Sequence, residues 1–305
     1  MNPMGQALMI QGCASSVGKS LITAALCRIL TEDGWRVTPF KGQNMGSKSF
    51  FTAEGKEISA VQAVQAQVVG LSPSPYMNPI FQKPITDTVA EVIVLGESIG
   101  DMTVKEYFHF KKTKGRAIVA KALDHLKQQF DIIILEGGGS PAEINLRDHD
   151  LVNMGAAALA DAPVILVGDI DRGGVFAYLT GTMLLLGEED RDRVKAVLIN
   201  KFRGSLVALE PGLSMLEEKI LRPVLGVIPY MDHLYPPGEA ELPTGGQQMG
   251  SGGQPSQDAY NRLAQTVRES ISMDLLYEII GLSAPRTQYH RSPGGVSGGE
   301  ARPGK

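Results

Sequence analysis

Six short, unbroken apolar runs, at residues 7–11, 36–40, 131–136, 163–169, 194–200 and 223–228, punctuate the first 230 residues of this chain. Runs of that length without alternation belong to strands buried on both faces. The intervals between them carry apolar residues at helical spacing, which predicts helices over 19–31, 58–69, 115–129, 151–159, 175–186 and 209–220. Strands that alternate with helices in this way form a parallel sheet covered on both faces, because right-handed crossovers leave no other compact arrangement. The loops at the carboxyl ends of such strands make the binding edge. At 305 residues and 43% hydrophobic composition, the chain can bury the core this requires.

The first run leads into Gly12-Cys13-Ala14-Ser15-Ser16-Val17-Gly18-Lys19-Ser20, which opens a helix. Glycines there let backbone N–H groups close around phosphate oxygens, and the helix N-terminus adds positive potential. Gly12, Ser15, Ser16, Val17 and Gly18 are therefore read as the nucleotide cradle. Lys19 is placed to reach the β- and γ-phosphates and Ser20 to ligate Mg²⁺. The spacing is one residue longer than the usual phosphate loop. The fold expected is a P-loop NTPase-type α/β fold with a doubly wound, mostly parallel sheet, and the expected cofactors are ATP and Mg²⁺.

A second motif, Glu136-Gly137-Gly138-Gly139-Ser140-Pro141-Ala142-Glu143-Ile144-Asn145-Leu146, follows the third run. A carboxylate at the end of a strand beside the phosphate loop is positioned to hold Mg²⁺, so Glu136 joins Ser20 as a metal candidate. Asp148, Asp150, Asp171 and Arg172 fall at the same edge. Carboxylates there can orient a nucleophile or accept a proton, and Arg172 can neutralise a transferring phosphoryl group. Lys41 brings another cation after the second strand, and Asn200, after a late strand, carries an amide suited to a base edge. The five histidines are scattered and form no cluster.

A formal net charge of −4 gives no field that would recruit nucleic acid or an anionic membrane. No apolar stretch reaches about 18 residues, and the N-terminus lacks a secretion signal, so a cytoplasmic protein is expected. Two cysteines, Cys13 and Cys27, make neither a disulfide framework nor a zinc site. Beyond the phosphate-loop unit at 1–234, residues 235–257 read as a Pro- and Gly-rich linker. Residues 258–283 return to helical spacing through Leu263, Val267, Ile271, Leu275 and Ile279, and 284–305 have the composition of a disordered tail.

With these residues in hand, the chain resembles the glutamine-dependent cobyric acid synthases, relatives of dethiobiotin synthetase. The blocks that carry the likeness are 11–20, Phe40-Lys41-Gly42-Gln43-Asn44-Met45, Met77-Asn78-Pro79, Lys83-Pro84, 136–146, Asn153-Met154-Gly155, 169–176 and 200–204. The resemblance implies ATP-driven amidation of the b, d, e and g carboxylates of adenosylcobyrinic a,c-diamide, a corrinoid, with ammonia taken from glutamine. It assigns Lys19 and Ser20 to the phosphates and Mg²⁺, Glu136 to the metal and Asn200 to the adenine. Asp148, Asp150, Asp171 and Arg172 become carboxylate-activation or substrate contacts.

One departure stands out. The family's glutaminase uses a cysteine in a strand-to-helix elbow, and no Gly-x-Cys-x-Gly occurs here. Residues 260–264, 267–268 and 273–282 nevertheless resemble the family's C-terminal tail. An internal deletion bridged by 243–257 accounts for both facts, and ammonia or a separate glutaminase is then the expected nitrogen source. The orphaned helix would dock on the domain or mediate association into a homo-oligomer. Two competing readings are a switch or partitioning ATPase, which usually carries a second lysine where Cys13 stands, and a non-catalytic remnant.

Overall fold

A computed structural model of the chain describes residues 5–231 and 257–282. β1 (Gln6–Gly12) runs into α1 (Lys19–Glu32), which returns to β2 (Val37–Phe40). The next segment forms β3 (Gln43–Met45), β4 (Ser49–Phe51), β5 (Glu57–Ser59), α2 (Ala60–Val68), β6 (Ile80–Pro84), β7 (Val89–Val94) and β8 (Glu97–Thr103). A long helical stretch follows as α3 (Val104–Phe110), a π-turn (Lys111–Gly115) and α4 (Arg116–Lys127). β9 (Ile132–Glu136), a 3-10 turn (Ile144–His149) and α5 (Met154–Ala160) lead to β10 (Val164–Asp169) and α6 (Val175–Leu185). The fold then runs through α7 (Glu188–Arg193), β11 (Val194–Phe202), α8 (Leu206–Ile220) and β12 (Val224–Pro229), and resumes with α9 (Gln257–Ser270) and α10 (Met273–Ile280).

The main sheet has the order β12-β11-β10-β1-β9-β2, and every pairing in it is parallel. All six strands are those the apolar runs predict. Five of them are almost wholly buried, and β12, at the edge of the sheet, is half-buried. β1 sits between β9 and β10, so the loops after these three strands open onto one edge, where the phosphate-loop motif, Glu136 and Asp169 meet. No helix among the described residues is long and apolar enough to cross a membrane.

The region 43–103 departs from the expected pattern. A four-stranded mixed sheet, β3-β6-β7-β8, and a β4-β5 hairpin occupy it. β8 is almost wholly exposed, and Glu97-Ser98-Ile99-Gly100-Asp101-Met102-Thr103 has no apolar face that periodicity could reveal. The helix predicted over 58–69 begins two residues late, because Ser59 caps it by accepting from the Val61 amide.

The single helix expected over 258–280 is two helices. The first ends at Ser270, Ser272 caps the second with its hydroxyl accepting from the Leu275 amide, and Ile271 between them bridges to Gly226 of β12. Both helices join the main core. Tyr260, Leu263, Ala264, Val267, Leu276 and Ile280 are buried in it, and Arg268 and Tyr277 both bond to the buried Asp33 at the end of α1. The helical segment is therefore not an orphan within this fold. Packing against α9 on one side and the sheet on the other also explains why α1 buries Ala24, Ala25, Leu26 and Cys27 in succession. The expected linker, apart from Gln257, and the tail at 284–305 lie outside the described residues.

Candidate functional site

Gly12 ends β1 where a β-carbon would meet the Val17 side chain at 2.5 Å and the Lys19 ammonium at 3.0 Å, so only glycine lets the loop close this tightly. The loop then turns through Ser16 at φ 58° and Gly18 at φ 99° before α1 begins at Lys19. It is braced from below by the neighbouring strands. The Cys13 amide donates to the Val167 carbonyl at 2.9 Å, Asn200 Nδ2 donates to the Val17 carbonyl at 2.8 Å, and Lys201 Nζ donates to the Ser16 carbonyl at 2.7 Å. Lys19 Nζ spans from the Ala14 carbonyl to the Gly139 carbonyl, 3.0 Å to each, so the phosphate loop and the Gly-rich loop after β9 share one cation.

Behind Lys19 lies a second cluster built on Glu136, which is 1% exposed. Its Oε1 accepts from Ser20 Oγ at 2.8 Å and from Lys41 Nζ at 2.7 Å, and its Oε2 accepts from Gln65 Nε2 at 2.6 Å. Burial alone would raise the carboxyl's pKa, but the Lys41 ammonium and the hydrogen bonds from Lys41, Gln65 and Ser20 outweigh it and hold it below the usual carboxylate range. The site thus presents a hydroxyl and an ionised carboxylate, two hard oxygen donors, with two lysines on either hand. Among the described residues no group of three or more His, Cys, Asp or Glu side chains gathers.

The Gly-rich loop is fixed by Asn153. Its Oδ1 accepts from the Gly138 amide at 3.1 Å, and its Nδ2 donates to the Gly138 carbonyl at 2.6 Å. Asp150 in turn caps α5: its Oδ1 accepts from the Val152 and Asn153 amides and its Oδ2 from the Gly155 amide. At the end of β10, Asp169 takes Lys201 Nζ at 2.7 Å and the Arg172 guanidinium at 3.7 Å.

The structure thus brings Gly12, Ser15, Ser16, Val17, Gly18, Lys19, Ser20, Lys41 and Glu136 to one edge. Asn200 reaches it too, but as a buried brace whose amide is spent on the Val17 carbonyl rather than turned toward solvent. Asp150 serves an N-terminal cap. Asp171 and Arg172 are exposed, Asp171 paired with Arg203 at 3.2 Å and Arg172 with Asp169. Asp148 is exposed on the 3-10 turn, and no hydrogen bond or ion pair among the described residues ties it to the cluster. Sequence reasoning did not single out Gln65, Asn153 or Lys201. Only the last two had any signal, as members of the strings Asn153-Met154-Gly155 and Asn200-Lys201.

Residues 8–243 match the family described as CobQ/CobB/MinD/ParA nucleotide binding domain. The chain is 56% identical over 223 residues to a cobyric acid synthase of Clostridium botulinum, an alignment covering 73% of this chain and 45% of that protein. It is 60% identical over 222 residues to a cobyric acid synthase of Alkaliphilus metalliredigens, covering 73% and 44%. The chain thus spans less than half the length of these curated relatives. Among solved structures, the MinC:MinD cell division protein complex of Aquifex aeolicus aligns at a TM-score of 0.47 and 12% identity, over 92% of this chain and 98% of that one. With the family's description matched over most of its length, this chain belongs to the CobQ/CobB/MinD/ParA nucleotide-binding domain family.

Proposed function

We propose that the chain is an ATP-dependent, amide-forming ligase of the cobyric acid synthase type, acting on peripheral carboxylates of a corrinoid diamide. The observation that carries this is the pairing of two sites across one edge: Lys19 on the phosphate loop, and Ser20 with Lys41 on the buried Glu136 carboxylate. A hydrolase needs only the first. Transfer of phosphate to a carboxylate also needs a second cation, because two anions must approach each other, and Lys41 supplies one. The kinship to named cobyric acid synthases at 56–60% identity supports the substrate class.

In this reading the loop amides and Lys19 hold the β- and γ-phosphates. Ser20 Oγ and Glu136 fit Mg²⁺, a hard cation that takes few protein oxygens and completes its shell with water and phosphate. When bound, that ion would neutralise charge on the transferring phosphoryl group. A substrate carboxylate oxygen attacks the γ-phosphorus as the bond to the ADP oxygen breaks, giving an acyl phosphate. Ammonia then attacks the acyl carbon, phosphate leaves with the carbon–oxygen electron pair, and one proton is lost from the nitrogen. Phosphorylation is needed because a free carboxylate is a poor electrophile. Nitrogen comes from free ammonia or a glutaminase on another chain, and residues 258–283 stand as the counterpart of the family's C-terminal tail.

The test is ADP release from the purified protein with ATP, Mg²⁺, ammonium and the corrinoid a,c-diamide. ADP should form only when the corrinoid is present, with matching amide product by mass spectrometry. Lys19→Met should lower turnover on the order of 10²–10³-fold. Glutamine in place of ammonium should support no reaction. ATP turnover indifferent to the corrinoid would make the protein a switch instead, and glutamine hydrolysis by this chain alone would falsify the external nitrogen source.

A further inference from the structure

Beside the Gly-rich loop lies a cavity of about 130 Å³ whose walls include Gly138, Ser140, Asn153 and Lys111. Gly139, the next residue of that loop, is the one whose carbonyl Lys19 grips, so this cavity adjoins the phosphate site. Lys111 opens the π-turn at Lys111–Gly115. The turn inserts a wider loop into an otherwise continuous helix, and such insertions re-aim side chains at functional sites. The Thr113 hydroxyl donates to the His109 carbonyl at 2.8 Å within it, and a β-carbon on Gly115 would meet Leu151 at 2.6 Å, so the turn is packed in place.

The Lys111 ammonium lies 4.9 Å from the centroid of the Phe108 ring and 5.5 Å from that of Tyr107. It has no hydrogen bond or ion pair among the described residues. Burial lowers its pKa, with the nearby Asp150 opposing. Every other charged residue lining the cavity except Glu143 is already engaged. Asp150 is held by three backbone amides, and Arg147 pairs with Asp190 at 2.7 Å. A half-buried cation stacked on two rings, facing a cavity beside a phosphate site, is a site awaiting an anion.

We propose that Lys111 anchors a carboxylate of the acceptor substrate in this cavity, alongside the Gly-rich loop whose other neighbour is Lys19. The inference rests on reading the chain as a carboxylate-activating ligase and names a specificity residue for it. The anchored group is a carboxylate of the acceptor and not a nucleotide phosphate, because Lys19 and the loop amides already surround the phosphate position.

Lys111→Met keeps the apolar stem over the rings and removes only the charge, and Lys111→Arg restores it. Binding of the corrinoid a,c-diamide, measured by equilibrium dialysis without nucleotide, should weaken on the order of tenfold in Lys111→Met, the share of one charge-assisted hydrogen bond, and return close to wild type in Lys111→Arg. Affinity for Mg·ATP should not change, and the loss in turnover should lie in KM for the corrinoid rather than in kcat. Unchanged corrinoid binding in Lys111→Met overturns the proposal, as does an equal loss of ATP affinity, which would assign Lys111 to phosphate. If wild type binds the corrinoid through Lys111 yet forms no ADP, the anchor stands and the ligase reading falls. If it forms ADP with the corrinoid and Lys111→Met keeps the same KM, the ligase reading stands and the anchor falls.

Discussion

Glu136 stays ionised with almost no access to water because three donors reach its two oxygens, and one of them, Lys41, brings a full charge. Removing that charge strands the carboxylate. Lys41→Met should cost about 3–5 kcal/mol of stability, read from guanidinium unfolding, while the double change Lys41→Met with Glu136→Gln should recover most of it. A double variant as unstable as the single one would show that the ion pair is not the cause. Cys13 makes the opposite case, a group kept neutral. Burial pushes its thiol up to about 11, so at pH 8 only about one thiol in a thousand is ionised, and the fraction grows as pH rises toward that value. Alkylation of the native protein at pH 8 should therefore be slow at Cys13, and slower still at the wholly buried Cys27, yet rapid after denaturation. Lys19, Ser20 and Glu136 were legible in the sequence because each sits at a fixed offset from the end of an apolar run. Gln65 and Lys201 were not. Gln65 meets Glu136 from 71 positions away and Lys201 meets Ser16 from 185, distances over which only the folded sheet supplies proximity.

At the level of elements, the six strands of the main sheet could be read because burial on both faces leaves continuous apolar runs. The smaller sheet could not, since β7 and β8 are half or fully exposed and their pattern obeys neither period. The π-turn is invisible for a different reason: Lys111-Lys112-Thr113-Lys114-Gly115 reads as an ordinary basic helix surface, although Gly115 is buried against Leu151 with no room for a β-carbon. The C-terminal helices were legible as helices but not as part of this core. Their attachment predicts that Leu263→Ala, which empties a fully enclosed position beside α1, should destabilise the protein by about 2–5 kcal/mol in thermal or denaturant unfolding. It should also speed amide exchange along α1, whose last turn is held through Asp33 by Arg268 and Tyr277. A loss confined to α9 and α10, with α1 unaffected, would show that they fold as an independent appendage.

Across the whole molecule, the sequence located the binding edge because parallel-sheet topology places all strand-end loops on one side, whatever the packing details. It could not locate the cavity beside Lys111, because Gln43, Lys111, residues 138–154 and Asp190 meet there only through tertiary contact. The same topology bears on the segment between Met231 and Gln257. β12 anchors the chain on one side of that gap and α9 anchors it on the other, and both anchors belong to one core. Any polypeptide occupying that position is tethered twice, like an insert spliced into a loop rather than a bead hung from an end. A double tether narrows the orientations an insert can sample and raises its effective concentration at the surface of this domain above what a single linker of equal length provides. The α9–α10 clasp thereby closes a ring: the two ends of that segment cannot separate while the core that holds them both stays folded.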